Sequence, residues 1–137
     1  MTVRQRKKKT PSTNRGGTKI NYDGITFRSK LEVYCYKKLV ENNIPTSYEG
    51  VTFELLPPFQ SLQFNNKKIR NIKYTPDFIG ENYIIEVKGL ENERFPIVWK
   101  LFLYLMFQLD DKNLKIFKVH SQKEVDNMIK TLKENNV

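Results

Sequence analysis

The sequence from Tyr83 to Lys88 restricts the fold most, because it places Glu86 and Lys88 in an otherwise apolar run. Such a run is typical of a central strand that is covered on both faces, where an ionised side chain is costly unless a partner compensates it. Because strand side chains alternate, Glu86 and Lys88 share one face. A solvated pair on an open face is the alternative, and Ile84 on the same face argues against it. The run therefore predicts a buried sheet with a functional site on one side.

Asp77 ends the alternating segment that precedes this strand and begins near Ile69. The turn-forming residues 80–82, Gly-Glu-Asn, predict a hairpin between the two segments. Antiparallel pairing across that hairpin would bring Asp77 beside Glu86. The sequence thus predicts that two carboxylates and the ammonium group of Lys88 meet at one point.

This combination of side chains suits phosphate chemistry. Asp77 and Glu86, with the backbone carbonyl of Val87, are candidate ligands of Mg²⁺, because hard cations prefer oxygen ligands. A metal ion there would polarise a phosphoryl group and lower the pKa of its water, while Lys88 orients that water or offsets charge in the transition state. The sequence therefore predicts phosphodiester hydrolysis with Mg²⁺ as cofactor, and Mn²⁺ is expected to substitute.

Pro76-Asp77 followed by Glu86-Val87-Lys88 resembles the bipartite motif of the PD-(D/E)xK nucleases. In that family the Asp and the Glu of the motif bind metal and the Lys is catalytic. Roughly one Glu-x-Lys is expected by chance in a chain of this composition, whereas Pro-Asp is rarer and the two must also fall in order on adjacent strands. The combination therefore carries the resemblance, and neither element does so alone.

A wider run is similar to a group of small phage proteins allied with phage endonuclease I. It extends from residues 22–32 through 68–70 to Lys88 and Gly89, and the resemblance covers about residues 20 to 105. Those proteins are structure-specific nucleases that resolve Holliday junctions. The resemblance implies a restriction-endonuclease-like fold, an α/β protein with a mixed sheet flanked by helices. It also implies that Glu32 is a further active-site carboxylate, which assists the metal or positions water.

Glu32 also has a purely structural interpretation. Ser29 and Glu32 have the spacing of a capping box, in which Ser29 caps the first helix and Glu32 reaches back to its amide. Ser121 and Glu124 repeat this pattern at the last helix, with no carboxylate site in view. Both roles of Glu32 therefore stay open from the sequence.

The net charge of +9 is distributed unevenly over the 137 residues. Residues 1–19 contain no acidic residue and carry Arg4, Arg6, Lys7, Lys8, Lys9, Arg15 and Lys19. Because this segment has little apolar surface to bury, we expect a disordered basic arm at 1–19, followed by a single nuclease domain at 20–137. Each phosphate that the arm neutralises would add salt-sensitive affinity without base specificity. The arm is therefore a candidate DNA contact, and a solubilising tail is the alternative.

Further basic residues are candidate contacts to the DNA backbone. Lys67, Lys68 and Arg70 lie in the predicted meander, where they bind phosphates or form a solvated hairpin tip. Lys100, on the helix after Lys88, either touches phosphate or extends its stem along the surface. The aromatic residues of that helix are interpreted as a core stripe and not as a base-stacking platform: Trp99, Phe102, Tyr104 and Phe107.

Hydrophobic periodicity and turn residues define the expected elements. They predict a hairpin at 20–27, helices at about 30–43, 96–109 and 122–134, and strands near 48–56, 59–64, 69–78, 83–88 and 114–119. The order helix, meander, helix, strand, helix indicates an α/β fold with a mixed sheet.

The single cysteine, Cys35, excludes a disulfide within the chain and suggests a reducing compartment. We interpret Cys35 as a buried thiol and not as a nucleophile, and His120 as a surface or cap residue. The basic N-terminal residues have no apolar region behind them, and no stretch approaches the ~20 apolar residues of a membrane span. An intracellular, non-secreted protein without a membrane partner is predicted, in the cytoplasm of a bacterial host if it is phage-encoded.

Together these features predict a Mg²⁺-dependent, structure-specific DNA endonuclease that cleaves branched DNA, as a Holliday junction resolvase does in recombination. Resolving a four-way junction requires cuts in symmetry-related strands, so a homodimer is expected. A nicking, restriction-like or repair nuclease on another DNA substrate is the alternative enzyme, because the same catalytic residues serve all of them. A noncatalytic nucleic-acid-binding protein is the alternative from another class.

Overall fold

The structure is a computed structural model that describes residues 19–89 and 91–135. Its helices are α1 (Lys30–Glu41), α2 (Phe95–Leu109) and α3 (Gln122–Asn135). Its strands are β1 (Ile20–Tyr22), β2 (Ile25–Phe27), β3 (Ser47–Tyr48), β4 (Phe53–Leu56), β5 (Phe59–Ser61), β6 (Lys67–Ile69), β7 (Ile72–Tyr74), β8 (Phe78–Ile79), β9 (Tyr83–Val87) and β10 (Lys115–Val119). The chain is therefore a mixed α/β protein, which confirms the predicted fold class.

A four-stranded sheet in the order β10-β9-β8-β3 forms the centre. Strand β10 runs parallel to β9, whereas β8 pairs antiparallel with both β9 and β3, so the sheet is mixed. Every residue of β9 is buried. This confirms a strand that is covered on both faces, and the alternative that Glu86 belongs to an open, solvated face is wrong.

Two apolar clusters cover the two faces of β9. Ile85 and Val87 pack with buried residues of α1 and α3. Ile84 packs on the other face with Phe102 of α2. Alternation along the strand causes this division. Because Glu86 shares the face of Ile84, it points to the α2 side of the sheet.

The helices α1 and α3 begin with the same local arrangement. The Ser29 Oγ accepts a hydrogen bond from the Glu32 N–H at 3.1 Å, and the Ser121 Oγ accepts one from the Glu124 N–H at 3.2 Å. In each case a serine oxygen satisfies an amide that has no partner within the helix. These two caps explain why both helices begin where the sequence predicts.

The meander is more broken than predicted. The predicted strand at 48–56 is divided between β3 and β4, because Glu49 has a φ of 50° and leaves the extended conformation. The predicted strand at 69–78 is divided among β6, β7 and β8, and Pro76, just before β8, has no N–H to donate to a strand ladder. Consequently β4–β7 and β5–β6 form separate two-stranded ladders.

The aromatic core stripe predicted for α2 is correct for one side of the helix only. Phe102 is fully buried and Trp99 is half-buried. Tyr104 and Phe107, however, are 59% and 76% exposed, so their assignment to the core is wrong. Periodicity cannot separate the faces of a helix in which nearly every residue is apolar.

The predicted basic arm lies outside the described residues, apart from Lys19, which is exposed. Over the ranges 19–89 and 91–135, no helix has both the length and the apolar character needed to cross a membrane.

Candidate active site

The hairpin of β8 and β9 brings Asp77 beside Glu86, as the sequence predicts. Phe78 pairs with Ile85, so Asp77, the residue before it, lies across from Glu86. The backbone N–H of Val87 donates a hydrogen bond of 2.7 Å to Oδ2 of Asp77. This bond fixes the Asp77 carboxylate at the carboxyl end of β9.

Burial distinguishes the predicted site residues from other charged side chains. Glu32, Asp77 and Glu86 are the buried charged residues of the described ranges, at 5%, 6% and 6% exposure. A carboxylate removed from water is costly unless hydrogen bonds or a cation compensate it. Several such residues close together therefore mark a candidate functional site.

Two neighbours contact the Glu86 carboxylate. The Tyr74 hydroxyl donates a hydrogen bond of 2.5 Å to Oε2. The Lys88 Nζ lies 4.0 Å from Oε1 and 4.1 Å from the centroid of the Phe95 ring, a cation–π contact. Lys88 is thus held beside Glu86 while 22% of its side chain remains exposed.

Glu32 is both a capping residue and a member of the carboxylate group. Its Oε2 accepts hydrogen bonds from the Arg28 N–H at 3.2 Å and from the Tyr48 hydroxyl at 2.6 Å. The predicted capping box placed the first of these bonds on the amide of Ser29, so the prediction is wrong by one residue. The charge of Glu32 nevertheless acts on Asp77, because it helps to raise the Asp77 pKa.

The start of α3 shows that capping alone does not require burial. Glu124 accepts a hydrogen bond of 2.5 Å from the His120 N–H, which is the same arrangement one residue before the cap. Yet 48% of the Glu124 side chain is exposed. The capping role therefore does not explain the burial of Glu32. Its burial indicates instead that Glu32 belongs to the same group of carboxylates as Asp77.

The carboxylates of Asp77 and Glu86 are destabilised in their ionised forms. Burial raises the pKa of Asp77 to about 8, and the charges of Glu86 and Glu32 contribute to the rise. Burial also raises the pKa of Glu86, although the Tyr74 hydrogen bond and the Lys88 charge oppose it. A bound cation would stabilise both ionised groups. The group therefore has the electrostatic character of a cation site.

Two further residues behave as predicted. Cys35 is fully buried, and burial, with the charges of Asp77 and Glu32, raises its pKa, so the thiol stays protonated. His120 is 40% exposed and lies 3.5 Å from carboxylate oxygens of Glu91 and Glu124. These contacts support a buried thiol and a surface histidine.

Sequence reasoning missed Tyr48, Tyr74 and Lys118. Lys118 of β10 is in register with Glu86 of the parallel strand β9, so the two lie side by side. Its Nζ lies 5.7 Å from the Phe95 ring centroid. Alternation within β10 is visible in the sequence, but the parallel register that places Lys118 beside Glu86 is not.

The other basic candidates do not join the carboxylates. Lys67, Lys68 and Arg70 are exposed on or beside the β5–β6 hairpin, which packs against no other described helix or strand. Lys100 is exposed on α2, on the side opposite the buried Phe102. The remaining candidates lie outside the described residues: Arg4, Arg6, Lys7, Lys8, Lys9 and Arg15.

The chemistry of these groups fits a hydrated hard cation. Mg²⁺ is commonly held by one or two protein carboxylates and keeps several waters, and Asp77 and Glu86 supply that number. Over the described ranges, no three His, Cys, Asp or Glu side chains form a metal-ligand cluster. A cage built from protein side chains alone, as in a structural zinc site, is thus not found among those residues.

Comparison with known proteins gives a family. No curated protein and no solved structure shows a significant match to the chain. One family model, described as "Protein of unknown function (DUF1064)", matches residues 13–130. That range includes Glu32, Asp77, Glu86 and Lys88. The chain therefore belongs to the DUF1064 family.

Proposed function

We propose that this protein is a Mg²⁺-dependent DNA endonuclease that cleaves branched DNA. One observation carries the proposal: the carboxylates of Glu32, Asp77 and Glu86, which the resemblance to phage nucleases implies as site residues, are buried and electrostatically linked. Lys88 stands beside them, 4.0 Å from Glu86. Burial raises the pKa of Asp77 and of Glu86, and a structural core gains little from such groups, whereas an active site uses them.

Asp77 and Glu86 are the residues that would hold the cation, with the Val87 carbonyl as a further ligand. Glu32 uses Oε2 for its two hydrogen bonds, so Oε1 is the atom by which it would assist. When bound, Mg²⁺ or Mn²⁺ supplies a Lewis acid for the phosphoryl oxygen and a water of lowered pKa.

The protein's own residues orient the reaction. Lys88 stabilises the negative charge that develops on the phosphoryl oxygens as the water oxygen bonds to phosphorus and the bond to one sugar oxygen breaks. Tyr74 and Tyr48 hold the carboxylates of Glu86 and Glu32 through their hydroxyls. Such support restricts the side chains to one geometry before substrate arrives.

The resemblance to junction-resolving phage nucleases supports branched DNA as the substrate. The exposed basic residues of the β5–β6 hairpin and the basic arm would contact the backbone around the site. Two symmetric cuts require two copies of the site, so we propose a homodimer. A DNA nuclease of this kind acts inside a cell, in the cytoplasm of a bacterial host if it is phage-encoded.

The test is a cleavage assay on a four-way junction, a fork, single-stranded DNA and linear duplex, each with Mg²⁺, Mn²⁺ or chelator. We expect cleavage with either metal, none in chelator, and the junction as the preferred substrate. Asp77→Asn should abolish cleavage, whereas Asp111→Asn, an exposed aspartate outside the site, should not. Binding to all four DNAs without cleavage under any condition would instead support a noncatalytic binding protein.

A further inference from the structure

One side of α2 exposes an extended apolar surface. We define the α2 outer face as the large exposed apolar side chains on the side away from Phe102: Ile97, Leu101, Leu103, Tyr104 and Phe107. Their exposed fractions range from 37% for Leu101 to 76% for Phe107. Lys100 is the only charged residue within this helix. A helix that is apolar on all sides is normally covered on all sides.

The helix α3 provides an internal comparison. It buries Val125, Met128, Ile129 and Leu132 on one side. Each of its exposed residues is polar, including Lys123, Lys130 and Lys133. The same chain therefore presents an ordinary solvated helix face at α3, and the composition of α2 is specific to that helix.

The area of the α2 outer face matches half of a dimer interface. With about 150–250 Å² for a large aromatic side chain and somewhat less for an aliphatic one, the exposed fractions correspond to roughly 550 Å² per chain. Two such faces together would bury about 1,100 Å², which exceeds the roughly 1,000 Å² expected of a specific interface. A patch of this size is at the upper limit for a monomer surface.

A second exposed apolar group lies on the β5–β6 hairpin and is smaller. It consists of Phe59, Leu62 and Phe64, at 48%, 75% and 58% exposure. Residues 1–18 contain Met1 and Val3 as their large apolar side chains, so the arm has the wrong chemistry to cover α2. The size of the α2 outer face and its near lack of charge therefore favour a second copy of the same face.

We propose that the α2 outer face is the contact surface of a two-fold homodimer, in which α2 of one copy packs antiparallel against α2 of the other. In an isologous contact the same patch lies on both sides, so it must complement itself. The apolar side chains meet that condition, because their packing needs no pairing of opposite charges. Lys100 lies on the same side of α2, and its long stem can pack along the contact while the ammonium stays in water. The proposal stands on exposure and area and does not depend on nuclease activity.

The first test measures the oligomeric state without DNA or metal, by sedimentation equilibrium. We expect a dimer, and we expect Phe107→Lys to weaken dimerisation at least tenfold, because the most exposed apolar side chain of the face becomes an ammonium. Leu62→Lys changes a residue of nearly equal exposure, 75%, on the hairpin and should leave the dimer intact. A monomeric wild-type protein, or a dimer broken by Leu62→Lys and kept by Phe107→Lys, overturns the proposal.

The second test uses the symmetry and does not rely on a destabilising substitution. Tyr104 lies near the middle of the α2 outer face, so Tyr104→Cys should place two thiols close together across the two-fold axis. A short bis-maleimide should then link two chains, whereas Leu62→Cys should give no linked product. Cys35 is fully buried and should not react. Absence of the Tyr104→Cys product, or an equal yield from Leu62→Cys, contradicts the antiparallel pairing.

These measurements separate the dimer from the proposed activity. A dimer that cuts no DNA would leave the α2 contact intact and refute the nuclease proposal. A monomer that cuts DNA with Mg²⁺ would refute the α2 contact and support the nuclease activity.

Discussion

Tyr74 and Lys88 hold Glu86 from two sides, yet the carboxylate group as a whole is short of positive charge. The Tyr74 hydroxyl and the Lys88 ammonium both lower the pKa of Glu86, but burial outweighs them. Asp77 receives the Val87 N–H and is still raised to about 8. At the level of single residues, the folded chain therefore stores an electrostatic cost that a cation would remove.

This cost predicts a pH dependence of stability in chelator. The folded pKa of Asp77 lies at about 8, above its ordinary value of 3.8, so between these pH values the folded state holds a proton that the unfolded state has released. The contribution of Asp77 to the free energy of unfolding should therefore fall as pH rises from about 4 to about 8 and stay constant above that.

Asp77→Asn is the matched variant, because its Oδ1 can still accept the Val87 hydrogen bond. Denaturant unfolding of both proteins should show the variant gaining on the wild type as pH rises through this window. A constant difference, or a variant that is strongly destabilised at pH 8, would contradict the electrostatic account.

The two lysines near Phe95 should differ in their effect on catalysis. Lys88→Met removes the ammonium beside Glu86, and we expect the rate at saturating enzyme to fall roughly 10²-fold while DNA affinity is kept. Lys118→Met should have a smaller effect on rate, because the Lys118 Nζ is paired with Glu91 at 2.9 Å.

Lys115→Met is the control, since Lys115 is exposed on the same strand as Lys118 and lies at its other end. Single-turnover kinetics and filter binding separate rate from affinity. If Lys88→Met weakens binding and leaves the rate unchanged, Lys88 holds phosphate and takes no part in the chemical step.

At the scale of elements, the same serine–glutamate cap occurs at the N-termini of α1 and α3, but the two glutamates differ in burial. Ser29 with Glu32 and Ser121 with Glu124 form the same hydrogen bonds at α1 and α3. The first glutamate is buried and accepts a hydrogen bond from Tyr48, and the second is largely exposed. Local sequence therefore determines the cap, and tertiary packing determines whether the cap residue also joins a site.

This pair gives a matched test of Glu32. Gln retains an acceptor oxygen for the Arg28 amide, so Glu32→Gln and Glu124→Gln should each change the free energy of unfolding by less than about 1 kcal/mol. Glu32→Gln should lose cleavage activity and Glu124→Gln should keep it. Full activity in Glu32→Gln would leave the residue with its capping role alone.

Sequence patterns predicted the features of the fold that depend on neighbouring residues along the chain. The hairpin at 20–27, the starts of α1 and α3, and the pairing of Asp77 with Glu86 follow from turn residues, caps and alternation. Contacts between elements that are distant in the chain could not be predicted from the sequence. Tyr48 reaches Glu32 from β3, and the parallel register of β10 places Lys118 beside Glu86. The exposed side of α2 could not be predicted for a different reason. An almost uniformly apolar helix has no polar stripe that would identify its solvent-facing side.

At the scale of the whole molecule, the uneven charge leads us to expect that the basic arm contributes affinity for DNA and the folded domain contributes recognition. Deleting residues 1–19 should weaken binding to junction and duplex alike and flatten the dependence of log K on log salt, by about 0.9 for each lost phosphate contact on duplex. The remaining domain should still cut a four-way junction in preference to linear duplex, at lower salt.

Gel-shift titrations at several salt concentrations, run beside junction cleavage, measure both properties. An unchanged salt slope would show that the arm does not bind DNA. Loss of the junction preference would place shape recognition in the arm.

The position of Phe95 on α2 has a geometric consequence. Its ring lies 4.1 Å from the Lys88 ammonium on the inner side of the helix, while the outer face points the other way. A helix with its side chains is about 10–12 Å across and rises about 1.5 Å per residue, and Phe95 lies nine residues from Tyr104. An antiparallel pair with Tyr104 near the two-fold axis would therefore hold its two Lys88 groups roughly 35 Å apart. At 3.4 Å per nucleotide along one strand, that distance spans about ten nucleotides. The length of α2 and the distance between the paired helices would then determine the offset between the two nicks, that is, where the second strand is cut relative to the first.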